Sequence, residues 1–206
     1  ITVANAYGST RAVDAAELTD PATGTTRKVR GDYSVSYPWA QAGTKEFTGE
    51  VTAIPESNRY ACNPLSATEA AAVKGKWALI DWAEADGNLT CGSKVRFDNL
   101  QAAGAKGVLL AGHDEEPGLG IAGNETLPGF RLAASAAKDL RAQITAAEAA
   151  GKPLTVRLGN DLKSSLRVDT GKLDQLNPMS ARGFHGSYGY TKPDIAAPGS
   201  YITSAA

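Results

Sequence analysis

Gly75-Lys76-Trp77-Ala78-Leu79-Ile80-Asp81-Trp82 is apolar on both strand faces from Trp77 to Ile80, the pattern of a central strand covered on two sides. Gly107-Val108-Leu109-Leu110-Ala111 repeats that pattern. Between them the spacing predicts a helix over 93–103. Its polar Lys94, Asp98 and Gln101 fall at i, i+4 and i+7 on one side, which leaves Val95, Leu100 and Ala103 to pack inward. Gly104 stands where a helix end prefers glycine. The segment therefore reads strand–helix–strand with short joints.

Working outward, 112–129 reads as a Gly-rich loop with acidic Asp114-Glu115-Glu116 and two prolines, Pro117 and Pro128. Phe130-Arg131-Leu132 is a short strand. A second helix is expected from Ser135, a good N-cap, to Ala150, with Leu140, Ile144 and Ala147 as its apolar stripe. Gly151 and Pro153 end it, and 154–158 alternates as a half-buried strand. Upstream, Tyr33, Val35 and Tyr37 alternate, and Val51 to Ile54 is a strand stopped by Pro55. Residues 1–30 suggest a strand, a short helical turn and a Thr/Gly-rich loop from Thr19 to Thr26. Two helices and about seven strands make an α+β expectation.

With 21 basic and 22 acidic side chains, the net charge of −1 argues against a nucleic-acid or anionic-membrane partner. No apolar run approaches the roughly 20 residues that span a bilayer. The chain starts Ile1-Thr2-Val3-Ala4 without a Met and stops in an apolar run, so the expectation is a piece of a larger protein. Cys62 and Cys91 leave two states open, two thiols or one bridge. A bridge would close a loop of about 30 residues, add about 3–4 kcal/mol in the chain-entropy account, and imply an oxidising compartment. The triplets Asn88-Leu89-Thr90 and Asn124-Glu125-Thr126 are compatible with export.

Four constellations invite chemistry, and each has a plainer explanation. Gly118 to Gly123 spells GxGxxG, but His113 to Pro117 separates it from the preceding strand and Pro128 forbids a long helix after it. His113-Asp114-Glu115-Glu116 lacks a second ligand cluster and reads as a solvated loop tip. Ser187 and His185 lack a third group and a nucleophile turn. Trp39, Trp77 and Trp82 could line a sugar-binding face, but Trp77 and Trp82, five apart, point to opposite sides of one strand, so packing is the better reading.

Two sets of stretches carry a family resemblance. Gly75 to Asp81, Cys91-Gly92-Ser93-Lys94-Val95-Arg96, Leu100 to Leu110 and Leu127-Pro128-Gly129-Phe130 resemble, in order and spacing, the protease-associated (PA) domain, over roughly residues 45–160. Met179-Ser180-Ala181-Arg182-Gly183 and Lys192-Pro193-Asp194-Ile195-Ala196-Ala197-Pro198-Gly199 resemble the segment of subtilisin-like serine proteases just upstream of the catalytic serine. Ile1-Thr2-Val3-Ala4 resembles the strand that follows the oxyanion-hole asparagine there. The Gly-Thr-Ser nucleophile motif does not occur in the chain, and 184–190 is Gly- and Tyr-rich where many relatives place a proline.

The resemblance implies a swivelling β/β/α domain of small mixed β layers with two helices. It implies a subtilase-derived flank and linker over 1–44, the PA domain over 45–160, and a second subtilase-derived flank over 161–206 ending before the catalytic serine. The parent would be a secreted, extracellular subtilisin-like endopeptidase. The chain itself would be inactive, with no catalytic residue, metal or cofactor of its own. Its partners would be the parent's catalytic domain and a protein or peptide substrate. Other readings are a PA domain in a zinc aminopeptidase or a sorting receptor, and a free-standing extracellular ligand- or carbohydrate-binding module.

Overall fold

The computed structural model of the chain describes residues 3–41, 47–83, 87–115, 120–169, 171–173, 175–180, 183–184, 191–192 and 194–200. Its strands are β1 (Val3–Tyr7), β2 (Thr10–Asp20), β3 (Thr25–Tyr33), β4 (Phe47–Ala53), β5 (Trp77–Asp81), β6 (Gly107–Ala111), β7 (Gly129–Leu132), β8 (Thr155–Leu158), β9 (Leu166–Asp169), β10 (Gly183–Phe184), β11 (Thr191–Lys192) and β12 (Ile195–Ser200). Its α-helices are α1 (Ala67–Val73), α2 (Ser93–Ala102), α3 (Ala134–Ala137) and α4 (Leu140–Ala149). The chain divides into two units, Asp14–Lys163 and Ile1–Val13 with Ser164–Ala206.

In the unit Asp14–Lys163 the strands run in the order β3-β7-β6-β5-β4-β8-β2, and β2 pairs back onto β3. The sheet thus closes on itself into a barrel-like α+β fold. The central neighbours β4–β5, β5–β6 and β6–β7 are parallel, as strand–helix–strand units require; the other pairs are antiparallel. Period-2 geometry sorts the core. Trp77 and Leu79 join one cluster with Leu18, Val51, Leu109, Phe130, Leu140 and Ile144. Ala78 and Ile80 point the other way, to Val73, Phe97, Leu100, Val108 and Leu110. Helices α3 and α4 cover the first face, and α1 and α2 the second.

Trp77 is fully buried in a slot that two glycines open. A Cβ on Gly107 would lie 2.5 Å from the indole, and one on Gly49 would lie 2.9 Å from it. The neighbouring strands therefore carry no side chain where the ring lies. The expectation that Trp77 and Trp82 point to opposite faces holds: Trp82 packs against the second cluster.

Four expectations need correction. The alternation through Tyr37 is not a strand; β3 ends at Tyr33 and Val35 is 70% exposed. There the N–H groups of Ser34, Val35 and Ser36 donate to the carbonyls of Gly129, Ile121 and Ala122, so a neighbouring loop replaces a strand partner. The single helix from Ser135 to Ala150 is broken into α3 and α4 at Asp139, whose φ of 59° is left-handed. The two-helix tally also omits α1, which Ser66 and Glu69 start with a reciprocal capping box. The helical turn expected within 1–30 is instead the β2–β3 hairpin, turning at 21–24.

Tyr33 fastens the hairpin to the rest of the unit. Its hydroxyl lies 3.2 Å from the Ala15 carbonyl and 2.9 Å from the Gly159 carbonyl, and its ring meets Trp39 and Phe130 edge-on. Burial pushes the phenol up to about 12, from an ordinary 10. A folded state that holds the proton more tightly than the unfolded chain is stabilised below pH 10 and loses that contribution as pH rises toward 12. Spectrophotometric titration should show a late-ionising tyrosine in the wild type that is lost in Tyr33→Phe.

The unit Ile1–Val13 with Ser164–Ala206 pairs β1 with β12 in parallel, Val3 opposite Ile195 and Asn5 opposite Ala197. Thr10–Val13 of β2 pairs with β9, and β10 pairs with β11. Asn5 Nδ2 donates to Ser200 Oγ at 2.8 Å, Asn177 Nδ2 donates to the same oxygen at 3.0 Å, and Asn5 N–H donates to Ser180 Oγ.

Candidate functional site

Cys62 and Cys91 form a disulfide, with Cα atoms 5.8 Å apart. The bridge ties the segment after β4 to the loop that leads into α2. Arg96, fully buried on α2, holds that loop from inside. Its Nε and Nη2 donate to the Cys91 carbonyl at 3.2 and 3.0 Å, and its Nη1 donates to the Asp81 carbonyl at 2.5 Å. Its guanidinium lies 4.9 Å from the Trp82 ring centroid and 5.6 Å from that of Tyr60. Burial pulls its pKa below the ordinary value. The Asp81 carboxylate meets Arg141 at 3.0 Å and Arg59 at 3.5 Å. The C-terminal end of β5 is thus a cross-linked anchor of cations, carbonyls and one carboxylate. Its charges are engaged in ion pairs and hydrogen bonds that hold the loop and the strand end together.

The sequence-derived candidates scatter. His113 Nε2 lies 3.0 Å from Asp114, while Glu115 caps the Ser135 N–H and pairs with Arg30, so its carboxylate is used in packing. Glu116, Gly118 and Leu119 lie outside the described residues, as do His185 and Ser187. Among the described residues no three His, Cys, Asp or Glu side chains group as metal ligands. Trp39 is buried within an aromatic cluster of Tyr33, Tyr37 and Phe47, its Nε1 donating to the Ser34 carbonyl at 2.7 Å, so it does not form a sugar platform. The two glycosylation-type triplets separate cleanly. Asn88 is exposed. Asn124 is 8% exposed, its amide donating to Asp98 and Gln101 while its carbonyl accepts from the N–H groups of Thr126 and Leu127.

Two concave surfaces stand out among the described residues of this unit. A polar dish of about 420 Å³ is lined by Ser36, Lys94, Asp98, Gln101 and Asn124. Its Asp98 carboxyl is held below the usual range by hydrogen bonds from Lys94 and Asn124, one to each oxygen. A mainly apolar cleft of about 540 Å³ opens between the end of the hairpin and α4, lined by Leu18, Arg27, Gln143, Ala146, Ala150 and Leu154. Sequence reasoning did not find this cleft. It arises because the hairpin and the C-terminal half of α4, whose side chains there are alanines, leave a gap between them.

Residues 47–140 match the protein-family model described as PA domain, so the chain contains a PA domain. No curated protein matches the chain. Among solved structures, an aminopeptidase from Aneurinibacillus sp. strain AM-1 is similar at 16% identity and a TM-score of 0.46, over 72% of this chain and 30% of that one. BSAP, a zinc aminopeptidase from Bacillus subtilis, is similar in two structures. One has 13% identity and a TM-score of 0.41, over 80% of this chain and 33% of that one. The other has 14% identity and a TM-score of 0.37, over 72% and 32%. The chain spans about a third of the length of these proteins. Among the described residues, no helix is long and apolar enough to cross a membrane.

Proposed function

We propose that this chain is the PA domain and flanking segments of a secreted subtilisin-like serine endopeptidase, a non-catalytic part that controls access to the active site or holds protein substrate. The observation that carries the reading is the β1–β12 pair. The two stretches that resemble subtilisin-like proteases stand about 190 residues apart in sequence, yet they form parallel neighbours joined by the Asn5–Ser200 hydrogen bond. Everything between them includes the PA domain, as expected for an insertion. The disulfide supports an oxidising compartment and hence export.

The test compares this 206-residue chain with a version extended at both ends to the parent's full length. A fluorophosphonate probe should label one serine beyond Ala206 in the long version and none in the short one, and only the long version should cleave casein. Labelling of the short chain would overturn the reading. So would a long version that ignores the probe and instead releases N-terminal residues in a chelator-sensitive way, which would assign the domain to a metallo-aminopeptidase.

A further inference from the structure

We infer that the outer edge of β3, together with the cleft beside it, docks an extended acidic peptide strand with apolar side chains, so that the PA domain holds substrate by adding a strand to its own sheet. This deepens the substrate-holding role proposed above and rests on it.

The edge is defined by hydrogen-bond parity. On β3 the bonds toward β7 involve even-numbered neighbours: Ala133 N–H donates to the Arg30 carbonyl, and Ser34 N–H donates to the Gly129 carbonyl. Strand β7 pairs only with Gly31–Tyr33, whereas β2 pairs with β3 all the way to Thr25. Beyond Arg30 the same outward row continues through Lys28 and Thr26. Among the described residues no backbone group bonds it. A row of free N–H and C=O groups is a template for another strand.

The flank of that edge fixes the chemistry. Thr25 to Arg30 contains three cations and no acid. Arg30 is neutralised by Glu115, and Asp161 lies within electrostatic reach of Lys28. Arg27, exposed at the cleft, bonds instead to the neutral Gln143 amide at 3.1 Å. The cleft below it is walled by Leu18, Ala146, Ala150 and Leu154, and the one acid in its lining, Asp20 at the hairpin turn, already accepts from the Ala22 N–H and the Thr23 hydroxyl. An added strand would alternate its side chains, sending every second one toward the cleft and the others past Lys28. An occupant with apolar residues inward and carboxylates outward matches both surfaces. Edge lysines also discourage pairing of one copy with another, since two basic edges repel, and that leaves the edge open to an acidic partner.

The test is fluorescence anisotropy on the whole 206-residue chain, with a fluorescein-labelled eight-residue peptide that alternates Glu and Leu. Saturable binding is expected, weakened about tenfold or more by the double substitution Arg27→Glu/Lys28→Glu and by added salt. Ala146→Trp, which fills the cleft from an exposed position, should weaken it as well. The same peptide N-methylated at alternate residues should not bind, because its backbone cannot pair; this control needs no change in the protein. Equal binding of an alternating Lys/Leu peptide, indifference to N-methylation, or no saturation at millimolar peptide would overturn the inference. None of these results alters the fluorophosphonate outcome, so the two readings fail separately.

Discussion

Trp77→Ala should cost about 3–5 kcal/mol, the range for emptying a large aromatic site in a packed core. Set against a typical domain stability of about 5–15 kcal/mol, that loss threatens the fold itself. The estimate sits high because the slot cannot refill. Both flanking strands carry glycine where the ring lies, so no neighbouring side chain can swing into the void. Urea denaturation followed by circular dichroism measures the loss, and a shift worth less than about 1 kcal/mol would show that the strands collapse onto each other. A companion variant sharpens the point. Gly107→Ala drives a methyl into the indole, since its Cβ would lie 2.5 Å away, and should be strongly destabilising alone. In the Trp77→Ala background the same methyl enters empty space and should become nearly harmless. Additive costs in that double-mutant cycle would refute the slot.

Loss of the disulfide is the second large effect. The bridge spans 29 positions, and closing such a loop is worth about 3–4 kcal/mol in the chain-entropy account. Cys62→Ser/Cys91→Ser should lower the urea midpoint accordingly, and reduction of the wild type should add two hydrogens to its intact mass. The structural consequence should be local first. Arg96 donates three hydrogen bonds to the carbonyls of Cys91 and Asp81, so the reduced loop stays pinned until α2 itself moves. Hydrogen exchange at 87–92 should therefore rise in the reduced protein while β5 and β6 stay protected. If β5 and β6 lose protection together with the loop, the anchor described for Arg96 is wrong.

The strand–helix–strand heart was legible because its signals are local: runs of apolar residues with period 2, and a glycine at the helix end. Gly104 has φ 81° and α2 stops at Ala102, as that residue asks. What failed was one position on the inward face of α2, since Leu100 and Ala103 pack inward as expected. Val95 is 46% exposed, whereas Ser93, Arg96, Phe97 and Leu100 are buried at i, i+3, i+4 and i+7. An arginine counted as polar hides that stripe, and only the carbonyls of Cys91 and Asp81, supplied by other parts of the chain, explain its burial. Helix α1 did have a readable signal, Ser66 three residues before Glu69. The cleft and the open edge of β3 had none, because both depend on which strands run out of partners, a property of distant pairings rather than of any local pattern.

The closed sheet has a consequence in time. Strand β2 is completed by β8, with Leu18 opposite Val156, 138 positions further along the chain. At a synthesis rate of about 5–20 residues per second, roughly 7–28 seconds pass between the emergence of one strand and that of its partner. The β2–β3 hairpin can form at once, but Ala16 and Leu18 wait uncovered until β8 and α4 arrive. The nascent chain therefore carries an adhesive surface for most of the time it takes to make the domain. A ribosome-bound or membrane-associated chaperone that shields the hairpin should raise the yield of this domain more than one that acts after release.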